Sequence, residues 1–195
     1  MLEQISLDGR SVGLVPLSAA HCSELIEAVN DGELWKLWYT SIPSPDQMDA
    51  EIERRLAQQK QGTMLAFAVI EKASGRAVGM TSYLNADTVN RRLEIGATWY
   101  RKRVQRTGIN TECKVLLLAH AFDQLHCIAV EFRTHLFNRQ SRAGIERLGA
   151  KLDGVLRQHQ RVGNGTLRDT CVYSILDNEW PTVKAHLTYQ WQRPR

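Results

Sequence analysis

Residues 93–119 read LEIGATWY-RKRVQRTGIN-TECKVLLLA, and the spacing of apolar residues along them decides the fold. Strand alternation over Leu93 to Tyr100 places Leu93, Ile95, Ala97 and Trp99 on one face and Glu94, Gly96, Thr98 and Tyr100 on the other. From Gly108 to Leu125 the period lengthens, with Val115, Leu118, Phe122 and Leu125 recurring at three and four residues, which predicts a helix. Strand passes into helix through a basic, polar turn containing one glycine. Unmet backbone N–H groups and the positive end of the helix dipole favour an anion at such a turn, and Gly108 lets it approach without a side chain in the way. By pattern alone the same turn also reads as a solvated basic loop. It has too few glycines for a dinucleotide fingerprint and lacks the Gly-Lys-Ser/Thr ending of a Walker loop.

The rest of the chain supplies a mixed set of elements around this core. A short strand near Ser11 to Leu17 precedes a helix capped by Ser18 and carrying Cys22, Leu25, Ile26 and Val29. After the connector Ser41 to Pro45, a second helix runs to about Gln61. Met64 to Ile70 and Ala77 to Leu84 read as a hairpin turning at Gly75. Downstream come a strand at Cys127 to Thr134, a short helix from Asn138 to Leu148, and two strands near Leu152 to Arg161 and Leu167 to Leu176. Gly163-Asn164-Gly165 joins those two strands. A last helix, capped by Asn178, tolerates Pro181 in its first turn.

With 195 residues, 43% apolar and 24% charged, the chain fits one globular domain, 1–195, able to bury a core without staples. Cys22, Cys113, Cys127 and Cys171 show no metal-ligand spacing, which fits a reducing cytoplasm and no metal. The longest apolar run, Val115 to Ala119, is far too short to cross a membrane, and residues 1–10 have no signal-peptide apolar stretch. Net charge is only +4, but Arg91, Arg92, Arg101, Lys102, Arg103 and Arg106 crowd into residues 91–106, a cluster that asks for an anion. The strands offer no aromatic stacking platform, which argues against a nucleic-acid partner.

Gln105-x-x-Gly108-x-Asn110 resembles the Q/R-x-x-G-x-G/A pyrophosphate loop of the GNAT superfamily of acetyl-CoA-dependent N-acetyltransferases. Leu93-Glu94-Ile95-Gly96 is similar to the E-I-G strand of its RimJ/RimL-type branch, and Asn110-Thr111-Glu112-Cys113-Lys114 to that branch's helix start. Asn138-x-x-Ser141 with Leu148-Gly149-Ala150, and Arg168-Asp169-Thr170 before Tyr173-Ser174-Ile175, continue the likeness in order over nearly the whole chain. Two positions depart from the pattern: Asn110 stands where most members have a small residue, and Arg106 where many have glycine.

The resemblance implies an α/β fold of mixed α+β type. Its central sheet has about seven mostly antiparallel strands, splayed in the middle and flanked by helices. It implies coenzyme A carrying an acyl group, with Arg103, Gln105, Arg106, Thr107, Gly108, Ile109, Asn110 and Thr111 around the pyrophosphate. The arm would run along Thr98, Trp99 and Tyr100, and Asn138, Ser141 and Arg142, at the start of the next helix, would reach the arm or the adenosine end. Asn138 also reads simply as that helix's N-cap.

The reaction would be attack of an amine of a small molecule, peptide or protein N-terminus on a thioester. Glu94 is the candidate base, although a glutamate paired with Arg92 or a neighbouring strand fits the same position. Ser141 would protonate the leaving thiolate or only bind the cofactor. Trp35 and Trp38 would line the acceptor groove by resemblance, or pack in the core. His120, His126 and His135 show no ligand spacing. A CoA-binding regulatory protein without efficient turnover is the alternative, and monomer or homodimer both fit the branch.

Overall fold

The computed structural model describes residues 3–192. Eight strands form one sheet: β1 (Leu7–Asp8), β2 (Val12–Pro16), β3 (Met64–Glu71), β4 (Arg76–Asp87), β5 (Arg92–Tyr100), β6 (Ala129–His135), β7 (Lys151–Arg161) and β8 (Leu167–Leu176). Their order is β1-β2-β3-β4-β5-β6-β8-β7, and every neighbouring pair is antiparallel except β5 with β6. The strand beyond the seven expected is the two-residue β1, too short to show any alternation in the sequence.

Helices α1 (Cys22–Asn30) and α2 (Met48–Lys60) cover one face, and α3 (Ile109–Ala119) and α5 (Trp180–Gln192) cover the other. Ser18 caps a 3-10 turn, Ala19–His21, that leads into α1, where the sequence suggested one continuous helix. A second cluster of buried residues, including Leu25, Val29, Met48, Ile52, Ala66 and Met80, fills the α1/α2 side. Phe67, Tyr83, Leu93, Ile95, Cys113, Leu117, Phe132 and Tyr173 belong to the larger core on the α3/α5 side. The apolar period expected to continue to Leu125 is broken after Ala119, where His120–Gln124 widens into a π turn. The short helix α4 (Arg139–Arg147) follows β6.

Alternation along β5 does not survive to its end. Ala97 has φ +48°, and the register with β4 slips between Met80 and Ser82, so the strand carries a bulge. The extra residue reverses the faces beyond it. Tyr100 joins Leu93 and Ile95 in the α3-side core, while Trp99 packs with the α1/α2 cluster. Arg55 of α2, 2% exposed, fastens the bulge: Nη1 donates to the Ala97 carbonyl at 3.1 Å and to Ser82 Oγ at 3.2 Å, and Nε to Glu51 Oε1 at 2.7 Å. Arg55→Leu leaves two buried acceptors without their donor, and is expected to cost about 3 kcal/mol of stability, read from the denaturant midpoint.

At the other side of the sheet, Glu112 of α3 accepts from the amides of Arg10 and Ser11 and so ties the helix to the β1–β2 turn. This fixes the angle at which the N-terminus of α3 meets the end of β5.

Candidate functional site

The parallel strands β5 and β6 pair at Arg92↔Ala129, Leu93↔Val130 and Glu94↔Glu131. Beyond that point β5 follows β4 as far as Tyr100, and β6 follows β8 as far as His135. The two strands therefore diverge into a fork that opens toward the N-terminus of α3. Strand amides and carbonyls turned into such a fork can pair with an extended, amide-bearing ligand, as a missing strand would.

At the mouth of the fork, Gln105 Nε2 donates to the Tyr100 carbonyl at 2.9 Å, and Thr107 Oγ1 to the Val104 carbonyl at 2.6 Å. Arg106 takes φ +61°, a left-handed conformation that glycine adopts freely and arginine does not. The loop thus holds an arginine in a backbone shape that glycine takes at no steric cost. Gly108 is the N-cap of α3 and has no side chain with which to cap it. The first amides of a helix have no intrahelical acceptor. That of Ile109 is met by Thr107 Oγ1 at 3.3 Å, which leaves those of Asn110 and Thr111 pointing out of the helix end. A Cβ built on Gly108 meets no atom within 4 Å, so the space beside Gly108 at the start of the helix is open.

The basic cluster is largely answered within the fold. Arg101 pairs with Asp31, Arg103 takes both oxygens of Glu71, and Arg92 pairs with Glu131. The anion invited by the sequence is in good part these three carboxylates, which lie far away along the chain and close in space. Arg103 would have to leave Glu71 to reach a phosphate.

Across the fork, Asn138 accepts from the Ser141 amide at 3.0 Å, which makes it the N-cap of α4. Gln140 Nε2 donates to Gln105 Oε1 at 3.3 Å and joins α4 to the loop. Ser141 is partly exposed at this junction. Arg142 turns inward, with Nε on Tyr173 Oη at 3.0 Å, and Tyr173 in turn donates to Glu146.

Glu94, the last residue of β5 paired with β6, is 7% exposed and lies on the face away from α3. Burial is the largest influence on its carboxyl and raises it above the ordinary carboxylate range. The Asn85 amide at 2.9 Å and the charges of Arg133 and Arg168 pull the other way. Gly96 explains the E-I-G spacing, because a Cβ there would lie 2.8 Å from Glu94 Oε1 and 2.9 Å from Leu84 Cδ1. Gly96→Ala is expected to displace the carboxylate while CoA affinity stays within about twofold, a split measurable by comparing turnover with a binding titration.

Trp35 and Trp38 part company. Trp35 lies within a 3-10 turn, Leu34–Lys36, capped by Glu33 at φ +48°, and packs partly buried against the α1/α2 cluster. Trp38 is 50% exposed and meets the His135 ring at 5.2 Å and Phe137 at 6.0 Å between centroids. Phe137 went unnoticed in the sequence, because a lone aromatic at a strand end carries no periodic signal. His135 is 3% exposed, its Nδ1 accepts from the Phe137 amide, and its Nε2 has no hydrogen-bond partner among the described residues. His120 sits elsewhere, stacked on Tyr83.

Beside Glu94 the sheet is uncovered, and a hollow lined by Arg92, Glu131, Arg133, Asp153, Leu156 and Ser174 opens on it. No helix among the described residues is long and apolar enough to cross a membrane, and none of their His, Cys, Asp or Glu residues group as a metal site.

A family model described as the acetyltransferase (GNAT) domain matches residues 11–151. A Bacillus subtilis (strain 168) protein, provisionally named the ribosomal N-acetyltransferase YdaF, is 38% identical over 110 residues, 56% of this chain and 59% of that protein. The match thus spans less than two thirds of that relative's length. Among solved structures, a GCN5-related N-acetyltransferase from Brucella melitensis is 31% identical with a TM-score of 0.87, covering 97% of this chain and 86% of that one. Mycobacterium smegmatis RimJ, solved in complex with CoA-disulfide, shares the fold with a TM-score of 0.80 at 20% identity, over 96% of this chain and 95% of its own.

Proposed function

The chain belongs to the GNAT family of acetyltransferases, and on that premise we propose that it transfers an acetyl group from acetyl-CoA to a primary amine. The acceptor is a small molecule, a peptide or a protein N-terminus, and the whole chain acts as one such domain in the cytoplasm. The observation that carries this reading is the fork between β5 and β6, which opens onto the uncapped N-terminus of α3.

The residues present fit coenzyme A. Outward-facing amides at the start of α3, with open space in front of Gly108, suit a pyrophosphate. Strand edges freed beyond Glu94 suit an arm built from amides. Gln105 to Thr111 would hold the phosphates, Thr98 to Tyr100 the arm, and Ser141 its far side. Arg103 and Arg142 would contribute only by leaving Glu71 and Tyr173. Asn138 would act by shaping the start of α4.

Bound acetyl-CoA supplies the acetyl group as an activated thioester. Glu94 takes the proton of the acceptor amine, directly or through a water, and its burial holds it as a stronger base than an exposed carboxylate. β5 amides turned into the fork offer donors where negative charge develops. Ser141 donates a proton at the far side. The acceptor approaches from the open face, past Trp38 and Phe137, which give it an aromatic wall.

The test is calorimetric titration with acetyl-CoA and CoA, followed by thiol release against a panel of amines and N-terminal peptides. Micromolar binding with amine-dependent release is expected. Binding without release by any amine would leave a CoA-dependent regulator, and absence of binding would remove the reading altogether.

A further inference from the structure

Glu94 and Lys114 stand on opposite faces of the same fork. Lys114 of α3 is 6% exposed. Its Nζ donates to Thr98 Oγ1 of β5 at 3.1 Å and lies 6.0 Å from the centre of the Phe132 ring of β6. The ammonium thus spans the gap just where the strands have stopped pairing. Thr98 is itself held by Thr81 Oγ1 at 2.7 Å, so the contact is anchored from β4.

A buried ammonium is costly unless an acceptor or a counter-charge meets it. Among the described residues Lys114 has no carboxylate within ion-pair distance, and burial pushes the neighbouring Cys113 thiol up to about 12, which keeps it neutral. Desolvation brings the Lys114 pKa down to about 8. Of the three donors on a lysine ammonium, the described hydrogen bonds use one. Around it lie the Thr98 hydroxyl of β5, the Phe132 ring of β6 and the Cys113 thiol of its own helix. Nothing in that set repays burying a charge. Methionine would fill the same space beside Phe132 at lower cost.

We propose that Lys114 is a hydrogen-bond donor to the sulfur end of coenzyme A in the fork, facing Glu94 across the reacting group. The inference rests on the acetyltransferase reading above. As the new C–N bond forms and the C–S bond breaks, the electron pair stays on sulfur and the amine's proton goes to Glu94. Lys114 holds the sulfur's charge through an N–H···S contact and keeps its own proton, while the proton that completes the thiol comes from Ser141, which regains one from water as Glu94 releases the amine's proton to water. Base and charge-holding donor thus reach the reacting group from opposite sides of the sheet.

The test compares CoA with desulfo-CoA, which lacks the sulfur, by calorimetry on the full chain at pH 8. The wild type is expected to prefer CoA by about tenfold or more, as for a hydrogen bond to a charged group. In Lys114→Met that preference is expected to vanish while the melting temperature holds or rises, because a buried charge is replaced by an apolar chain. A preference that survives in Lys114→Met, or is absent from the wild type, would overturn the proposal. So would a lowered melting temperature with the preference intact, which would mark Lys114 as structural. Should Lys114→Met not fold, Lys114→Gln carries the same comparison. Failure of the wild type to bind either ligand would instead count against the acetyltransferase reading.

Discussion

Gly108→Glu is expected to weaken CoA binding about a hundredfold and leave the fold intact. Gly108 has φ −69° and ψ −18°, ordinary helical values, and its Cβ would meet nothing within 4 Å. The substitution therefore adds neither strain nor a clash. It does place a carboxylate in front of the amides of Asn110 and Thr111. Two unit charges 4 Å apart at an effective dielectric of 20 repel by about 4 kcal/mol, and partial screening leaves about 2.8 kcal/mol, or a hundredfold. Asn110→Asp should act in the same direction with a smaller effect. Arg54→Glu is the control, since Arg54 sits on α2 among Glu51 and Gln58, and its CoA affinity should stay within about twofold. Equal losses in the loop variants and the control, measured by calorimetry, would show that the anion does not bind at the start of α3.

Glu94→Gln separates chemistry from binding. Loss of a general base lowers turnover by about a hundredfold or more, while CoA, held at the other end of the fork, should bind within about twofold of the wild type. Burial raises the Glu94 carboxyl above its ordinary range, so the wild-type rate should climb with pH through that raised value. In the variant this limb should disappear, leaving the limb set by the acceptor amine. The linkage to stability runs the opposite way. A carboxyl whose folded pKa lies above its unfolded one contributes stability below the unfolded value and loses it as pH rises through the folded value. A permanently neutral glutamine should thus leave the protein at least as stable at neutral pH, and lost turnover cannot be put down to unfolding. An unchanged pH profile would return Glu94 to a structural role with Asn85 and Arg133.

The difference between these residues and the others shows what a sequence can hold. Gln105, Gly108 and Asn110 act through one short segment, so their spacing carries the loop, and the change of period from strand to helix around them carries the fold class. Glu94 and Gly96 are two apart on one face, and the structure makes that spacing a direct steric relation. Lys114 belongs to the motif at the start of α3, but nothing local marks it as buried or as reaching two strands. Arg101 and Arg103 read as free charges, because their carboxylates, Asp31 and Glu71, are separated from them by more than thirty residues.

By itself the sequence determined the mixed order of strands and helices, the polar turn between β5 and α3 and the family likeness, since each rests on interactions between residues near in the chain. Only the tertiary structure decided which way side chains face at the end of β5. The bulge at Ala97 is set by pairing with β4 and by Arg55 from α2, and it turns Tyr100 toward α3 and Trp99 away. It also separated Trp38, exposed beside Phe137, from Trp35, packed against the core. Periodicity is a property of one segment, whereas register, burial and charge pairing are fixed by the segments packed against it.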